Sequence, residues 1–483
     1  MGRRGGAREG LLARLRRAAP WAAAESLFSA AATLLSTLIV ARLITPSDFG
    51  LASVAFAVVA IVQLLAFAGV PQAMLRTPSL TPRLSDQGFW VLLGLGAVAT
   101  AACWLLAAPL ARFYGAPLLF WLVAVQALDC LLQALVQFPT ALLTRKMRTR
   151  SLALRMLWFK AVSIAATVTA AASGLGAWSL VAGGLAGSVA SVALLWRTQP
   201  RLPRWRGFDA SLLPLLRMGW LIMAETALTA LAVRGFVLLF GKFHGLHDLG
   251  LLNFAMRLVD ELGAMITASI GRVSLSFFAR AHRAGHDLAR LFEVGTHAIT
   301  LAVLPVFLGL AAVAGDAIPL VFGDRWHAAV PAVQLLALFW GLRLTRVLSP
   351  GLMLTLGVQG PLVFNAAVSF GFAVAAVVLT RDLGFVAAVA AFSARMLVTL
   401  PAGATVLARV AGLPVAQQWR AVARPLALAG TMAAAVLVAR GLASDWPPLP
   451  RLLTLITGGA LLYALLVAAF DRVGLRRIVA LRR

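Results

Sequence analysis

The sequence predicts an all-α polytopic membrane protein, with about fourteen transmembrane helices in two six-helix lobes plus two C-terminal helices. Composition is the first reason: of 483 residues, 61% are hydrophobic and only 12% are charged. The second is length, because the apolar residues fall in runs of roughly 20, what a helix needs to cross a bilayer. The third is a rhythm, with the 43 Lys and Arg residues crowded into every second connection between those runs. Such runs are too long and too uniformly apolar for barrel strands, and helices satisfy their own backbone within the hydrocarbon.

The first predicted span, residues 21–43, follows Arg3, Arg4, Arg8, Arg14, Arg16 and Arg17. It is too long for the apolar core of a secretory signal and reads as a retained span. Spans two to seven are residues 49–75, 89–111, 118–144, 152–173, 178–196 and 212–240. Spans eight to fourteen are residues 249–278, 294–314, 330–356, 362–380, 385–407, 423–439 and 452–470. Trp21, Trp90, Trp178, Trp196, Trp419 and Trp446 lie at or near span ends, where amphipathic rings anchor to the interface.

Charge tests this map. With a cytoplasmic amino terminus, the cytoplasmic segments and the span ends beside them hold 29 basic residues. The external connections and the span ends beside them hold only Arg42, Arg112, Lys242, Arg325, Arg381, Arg440 and Arg451. A missed span would invert the alternation from that point on, so both termini are expected in the cytoplasm. The net charge of +26 is therefore read as topology and attraction to anionic membrane lipids, not as a nucleic-acid surface. The two cysteines, Cys103 and Cys130, lie inside spans, which argues against a disulfide framework or a metal site. The six histidines fall mostly in or near connections, without ligand company, and no cofactor is expected.

An internal repeat sets the domain plan. Asp48-Phe49-Gly50-Leu51 opens the second span, and Asp248-Leu249-Gly250-Leu251 opens the eighth, 200 residues later. Gly115 precedes Gln126 by eleven residues, and Gly323 precedes Gln334 by eleven. Duplicated six-span units of like orientation follow, as parallel repeats. The lobes are then residues 1–196 and 212–412, joined by a Pro- and Arg-rich cytoplasmic linker at 197–211; spans thirteen and fourteen and the basic tail occupy 413–483.

Charges within spans cost about 2.5–3.5 kcal/mol each on insertion scales and so need a reason. Away from the span ends the cations are Lys160, Arg234, Arg257, Arg272, Arg343, Arg346 and Arg395; the carboxylates within spans are Glu25, Asp129, Glu225, Asp260 and Glu261. Arg257 shares a helix face with Asp260 and Glu261, three and four residues on. Arg272 follows fifteen residues after Arg257, about 60° round the helix, and Arg343 and Arg346 share a face of span ten. Lys160, Arg257, Arg272, Arg343, Arg346 and Arg395 are the candidates for a cationic cavity that receives an anionic, phosphate-bearing substrate. A guanidinium keeps its charge and its fork matches phosphate oxygens. Glu25, Glu225 and Asp129 are candidates for exchanging H+ or Na+ with substrate movement, and each is equally readable as a packing contact. No GxxxxGK[ST], HExxH or GxSxG pattern is present, so the chain offers no residues for nucleotide hydrolysis or covalent catalysis.

Residues 41–51, Ala-Arg-Leu-Ile-Thr-Pro-Ser-Asp-Phe-Gly-Leu, are followed by an apolar span and Phe67-Ala68-Gly69-Val70-Pro71-Gln72-Ala73-Met74. This opening resembles Wzx-type polysaccharide flippases of the multidrug/oligosaccharidyl-lipid/polysaccharide exporter superfamily. Asp248-Leu249-Gly250-Leu251-Leu252-Asn253-Phe254-Ala255-Met256-Arg257 resembles the second-lobe counterpart. The resemblance implies two six-helix lobes working by alternating access in the bacterial inner membrane. It further implies an undecaprenyl-diphosphate-linked oligosaccharide as cargo, for exopolysaccharide or lipopolysaccharide export, and a transporter rather than an enzyme. Rival expectations are a drug or metabolite exporter or a peptidoglycan-precursor flippase of the same superfamily. A membrane polysaccharide polymerase or ligase is a rival of another class, disfavoured by the short external connections, the longest being residues 315–329.

Overall fold

Helices account for the architecture, and no strand occurs among the described residues. The computed structural model describes residues 33, 35–472 and 474, apart from 68, 78–79, 200–201, 206, 210–211 and 359. Ten helical segments of this set are long and apolar enough to cross a membrane. They coincide with predicted spans two to six, nine, ten and twelve to fourteen. Helices also stand at spans seven, eight and eleven, and the first span lies mostly outside the described residues.

The chain divides into two compact units, residues 1–250 and 251–483. This division falls one helix later than the Pro- and Arg-rich stretch at 197–211. The first unit holds α1 (Pro46–Phe67), α2 (Val70–Arg76), α3 (Pro82–Tyr114), α4 (Pro117–Gln126), α5 (Leu128–Arg145), α6 (Thr149–Ala172), α7 (Ala177–Thr198) and α8 (Leu212–Phe243). Local chemistry explains where they start. Thr45 and Asp48 form a capping box ahead of Pro46: Asp48 N–H donates to Thr45 Oγ1 at 3.2 Å and Thr45 N–H donates to Asp48 Oδ2 at 3.3 Å, which satisfies orphan donors of the first turn. Thr81 caps α3 by accepting from Leu84 N–H, with Pro82 at the first helical position, where its missing donor costs nothing. Predicted span four is broken at Ala127 into α4 and α5.

Trp90 and Trp196 do more than anchor to an interface. Phe89, Trp90, Phe138, Trp196, Trp205 and Phe208 make a chain of edge-on and stacked rings, and Trp196 Nε1–H donates to Leu135 O at 3.1 Å.

The offset of 200 residues in the sequence has a structural counterpart. A Cβ on Gly50 would strike the carbonyl oxygen of Leu246, and a Cβ on Gly250 would strike that of Pro46. Gly50 and Gly250 are 200 apart, and so are Pro46 and Leu246, so the two close approaches are reciprocal. Only glycine permits so close an approach of backbone to backbone. The second landmark pair also occupies matching places. Gly115 ends α3 at φ 63° and Gly323 ends the corresponding helix of the second unit at φ 102°, a region that favours glycine.

The second unit continues α9 (Gly245–Arg283) and holds α10 (Leu288–Phe322), a 3-10 turn (Asp324–Ala329), α11 (Val330–Leu344), α12 (Ser349–Thr355), α13 (Gly360–Leu379), α14 (Phe385–Val410), α15 (Val415–Leu442) and α16 (Pro448–Phe470). Asp287 caps α10 through Ala289 and Arg290 N–H. Predicted span ten is interrupted, with a turn at residues 345–348 separating α11 from α12. The external connection expected over 315–329 is shorter, because α10 runs on to Phe322. Helices α15 and α16 pack against α10, and two buried carboxylates fasten them there. Asp316 binds Arg440 at 2.6 Å and Arg451 at 2.5 Å. At the opposite end, Asp471 receives His297 at 2.7 Å and Arg424 at 3.6 Å.

Candidate functional site

Trp340 on α11 is the centre of the candidate site. Its indole Nε1–H donates to Asp260 Oδ1 of α9 at 2.6 Å, which fixes the ring. The Arg343 guanidinium lies 4.9 Å from the ring centroid and that of Arg395, on α14, lies 5.9 Å away. Arg395 is only 7% exposed; it sits 3.7 Å over the Phe392 ring and donates Nη1–H to Phe392 O at 2.6 Å. Asp260 acts electrostatically on both guanidiniums, and Arg343 and Arg395 act on one another. Two arginines thus gather about one carboxylate and one aromatic face. The excess positive charge suits an anion, and the ring contacts hold the planar guanidiniums in fixed orientations.

The other sequence candidates fall elsewhere. Arg257 is half-buried and interacts with Glu261, four residues on along the same helix. Arg346 does not continue the Arg343 face, because α11 ends at Leu344 and Arg346 stands in the following turn. It donates Nη1–H to Gln418 Oε1 at 2.5 Å and lies 5.7 Å from the Trp419 ring. Gln418, 2% exposed, is itself tied to Ala404 O and Leu413 O, so Arg346 is joined to a packing joint between α14 and α15. Lys160, on α6 in the first unit, donates to Thr33 Oγ1 at 2.7 Å. Glu25 lies outside the described residues, as do the side chains of Arg272 and Glu225.

Asp129 is described in full. Its Oδ2 accepts from Gln63 Nε2 of α1 at 3.0 Å, and its Oδ1 accepts from Ser188 Oγ of α7 at 2.5 Å and from Gln133 Nε2 at 3.4 Å. Three helices therefore converge on one carboxylate near the middle of a membrane-length segment.

Sequence reasoning missed several polar partners. Trp340 carried no charge to mark it, and Asp260 was read only against its own helix. The Asp316–Arg440–Arg451 and His297–Asp471–Arg424 groups join residues 124 to 174 positions apart, except for the shorter Asp471–Arg424 separation. His297 lies within α10, not in a connection. An apolar helix bearing a lone Asp or His was the available signal.

Comparison with known proteins bears on the family and the fold. A family model described as "Polysaccharide biosynthesis protein" matches residues 39–331. Similar proteins include the succinoglycan biosynthesis transport protein ExoT of Rhizobium meliloti (strain 1021), 24% identical over 304 residues, 63% of this chain and 62% of that protein. The lipopolysaccharide biosynthesis protein WzxC of Escherichia coli (strain K12) is 23% identical over 327 residues, 67% of this chain and 66% of that protein. The chain thus matches less than two thirds of the length of ExoT and just under two thirds of WzxC. Among solved structures, the lipid II flippase MurJ in an inward closed conformation superposes with TM-score 0.74 at 11% identity, covering 93% of this chain and 98% of that one. An inward-facing multidrug resistance MATE family transporter gives 0.65 at 14% identity, covering 82% and 98%. These likenesses establish a shared transporter fold.

Proposed function

Because this chain belongs to the polysaccharide biosynthesis protein family, we propose that it is a flippase for a lipid-linked oligosaccharide diphosphate. It acts in the bacterial inner membrane by alternating access, serving exopolysaccharide or lipopolysaccharide export. The observation that carries the reading is the pair of arginines, Arg343 and Arg395, gathered on the Trp340 face beside Asp260. A diphosphate presents several oxygens to two forks, an arrangement that charge-assisted hydrogen bonds favour. Arg257, on the same helix as Asp260, is a further contact in this proposal; Arg346, engaged by Gln418, serves packing. Asp260 limits how tightly the anion is held, and a carrier must also release its cargo. The chain acts as a carrier, with no covalent step. Both termini face the cytoplasm in this reading, on the strength of the alternating basic connections.

Reconstitution into vesicles with an undecaprenyl-diphosphate oligosaccharide, followed by measurement of leaflet exposure, tests it. The native chain is expected to accelerate transbilayer movement. Arg343→Ala and Arg395→Ala should each slow it at least about tenfold, equivalent to roughly 1.4 kcal/mol, with folding checked by thermal unfolding. Well-folded variants that move the lipid at the native rate would remove the cluster from the site. Transport of a cationic dye in place of the lipid diphosphate would replace the reading with that of a drug exporter.

A further inference from the structure

We propose that the first unit holds a phospholipid head that carries a primary ammonium beside its phosphate, the chemistry of phosphatidylethanolamine. The site is a cavity of about 180 Å³ between the start of α3 and the ends of α5 and α7. Ser85, Asp86, Phe138, Lys146, Trp196 and Gln199 are among its walls. The membrane-length segments begin or stop here, at Pro82, Arg145 and Thr198. A cavity at that level meets lipid heads rather than acyl chains, and a tryptophan beside it is the residue that favours this layer.

The walls follow from local chemistry. Pro139, inside α5, has no N–H to give the carbonyl one turn back. That carbonyl, Leu135 O, accepts instead from Trp196 Nε1–H at 3.1 Å. The bond sets the indole beside Phe138, with the two rings 6.4 Å apart and 28° from parallel. Aromatic walls attract a cation. At the buried end stand Asp86, 1% exposed, and Ser85, 7% exposed, oxygen acceptors for an ammonium. At the open end Lys146 is exposed, and its ammonium makes no hydrogen bond or ion pair among the described residues. Its neighbour Arg145 is held by the carbonyls of Met74 and Thr77.

The cavity therefore offers a carboxylate and two rings inside, and a cation at its mouth. A zwitterionic head matches both ends at once, with its ammonium on Asp86 and its phosphate on Lys146. An anionic head without an amine would satisfy Lys146 and bring nothing to the carboxylate. A neutral sugar suits aromatic walls and an acid, yet it gives Lys146 no counter-charge. Choline lacks the N–H groups that a carboxylate accepts from, which favours the primary amine.

The experiment uses the full chain, stripped of lipid in detergent, and needs no cargo, so it can fail while the flippase reading stands. Phosphatidylethanolamine, its N-acetylated form and phosphatidylglycerol, all with the same acyl chains, are added in turn. Binding is read by native mass spectrometry and by thermal unfolding. Phosphatidylethanolamine is expected to bind saturably and to raise the unfolding temperature. The other two should bind at least about tenfold more weakly, equivalent to roughly 1.4 kcal/mol. Asp86→Asn should erase the preference for the free amine. Lys146→Ala, at an exposed position, should weaken phosphatidylethanolamine while the lipid-free protein unfolds as the native chain does. Equal binding of the three lipids to the native chain overturns the site, as does a preference that survives both substitutions. Protection by a free hexose in place of the lipid gives the cavity to a sugar and also overturns it.

Discussion

Single residues in this protein earn their places through partners far away in sequence. Asp316 is 3% exposed in its side chain and answers two guanidiniums, Arg440 and Arg451. Removing it leaves both cations facing one another with nothing between, and lost partners of buried pairs cost about 3 kcal/mol or more. Asp316→Ala should therefore lower the unfolding temperature well beyond the effect of Asp382→Ala, whose carboxylate is exposed and pairs with its neighbour Arg381. His244, just past the end of α8, gives a pH-dependent prediction. Burial holds its pKa below the ordinary 6.5, and the nearby Asp248 carboxylate offsets this only in part. The ring stacks on Phe240 at 4.6 Å, and His247, bonded to Asp248 at 3.3 Å, shares the corner. A depressed histidine favours the neutral form, so its contribution is present above pH 6.5 and fades as acid charges the ring. His244→Phe should retain stability at pH 5 that the native chain loses, a difference read by thermal unfolding at pH 5 and pH 8.

At the level of elements, reading the spans from the sequence worked where the signal was local. Length, hydropathy and capping residues such as Thr45, Thr81 and Asp287 lie in the sequence next to the helix that they start. The turn at residues 345–348 was hidden, because the run 330–356 is apolar on both sides of it and Pro350 sits beyond the break, inside α12. Which helix faces which was equally hidden. Arg343 and Arg346 share a face on an ideal helix, but the turn sends one to Trp340 and the other to Gln418. The Trp340–Asp260 bond joins α11 to α9 across 80 positions, and no pattern within either helix announces it. Trp340→Phe keeps the ring and loses that bond. It should weaken cargo binding more than it weakens folding, seen as a raised half-saturation for lipid transport with a near-native unfolding temperature.

For the whole molecule, the alternation of basic connections predicts sidedness that labelling reads directly. With Cys103 and Cys130 buried, a cysteine placed at the exposed Arg381 should react with an impermeant maleimide in intact spheroplasts. One placed at the exposed His286 should react only after the membrane is opened. The opposite result would reverse the orientation while leaving the fold untouched. The reciprocal meeting of Gly50 and Gly250 carries a consequence of another kind. A methyl group at either position has to push the crossing chains apart, and that displacement vacates the gap facing the other glycine. Gly50→Ala and Gly250→Ala should each be harmful alone, yet the double variant should cost far less than the two added together. Such strong sub-additivity would mark the pair as a single steric unit inherited by two halves of one chain.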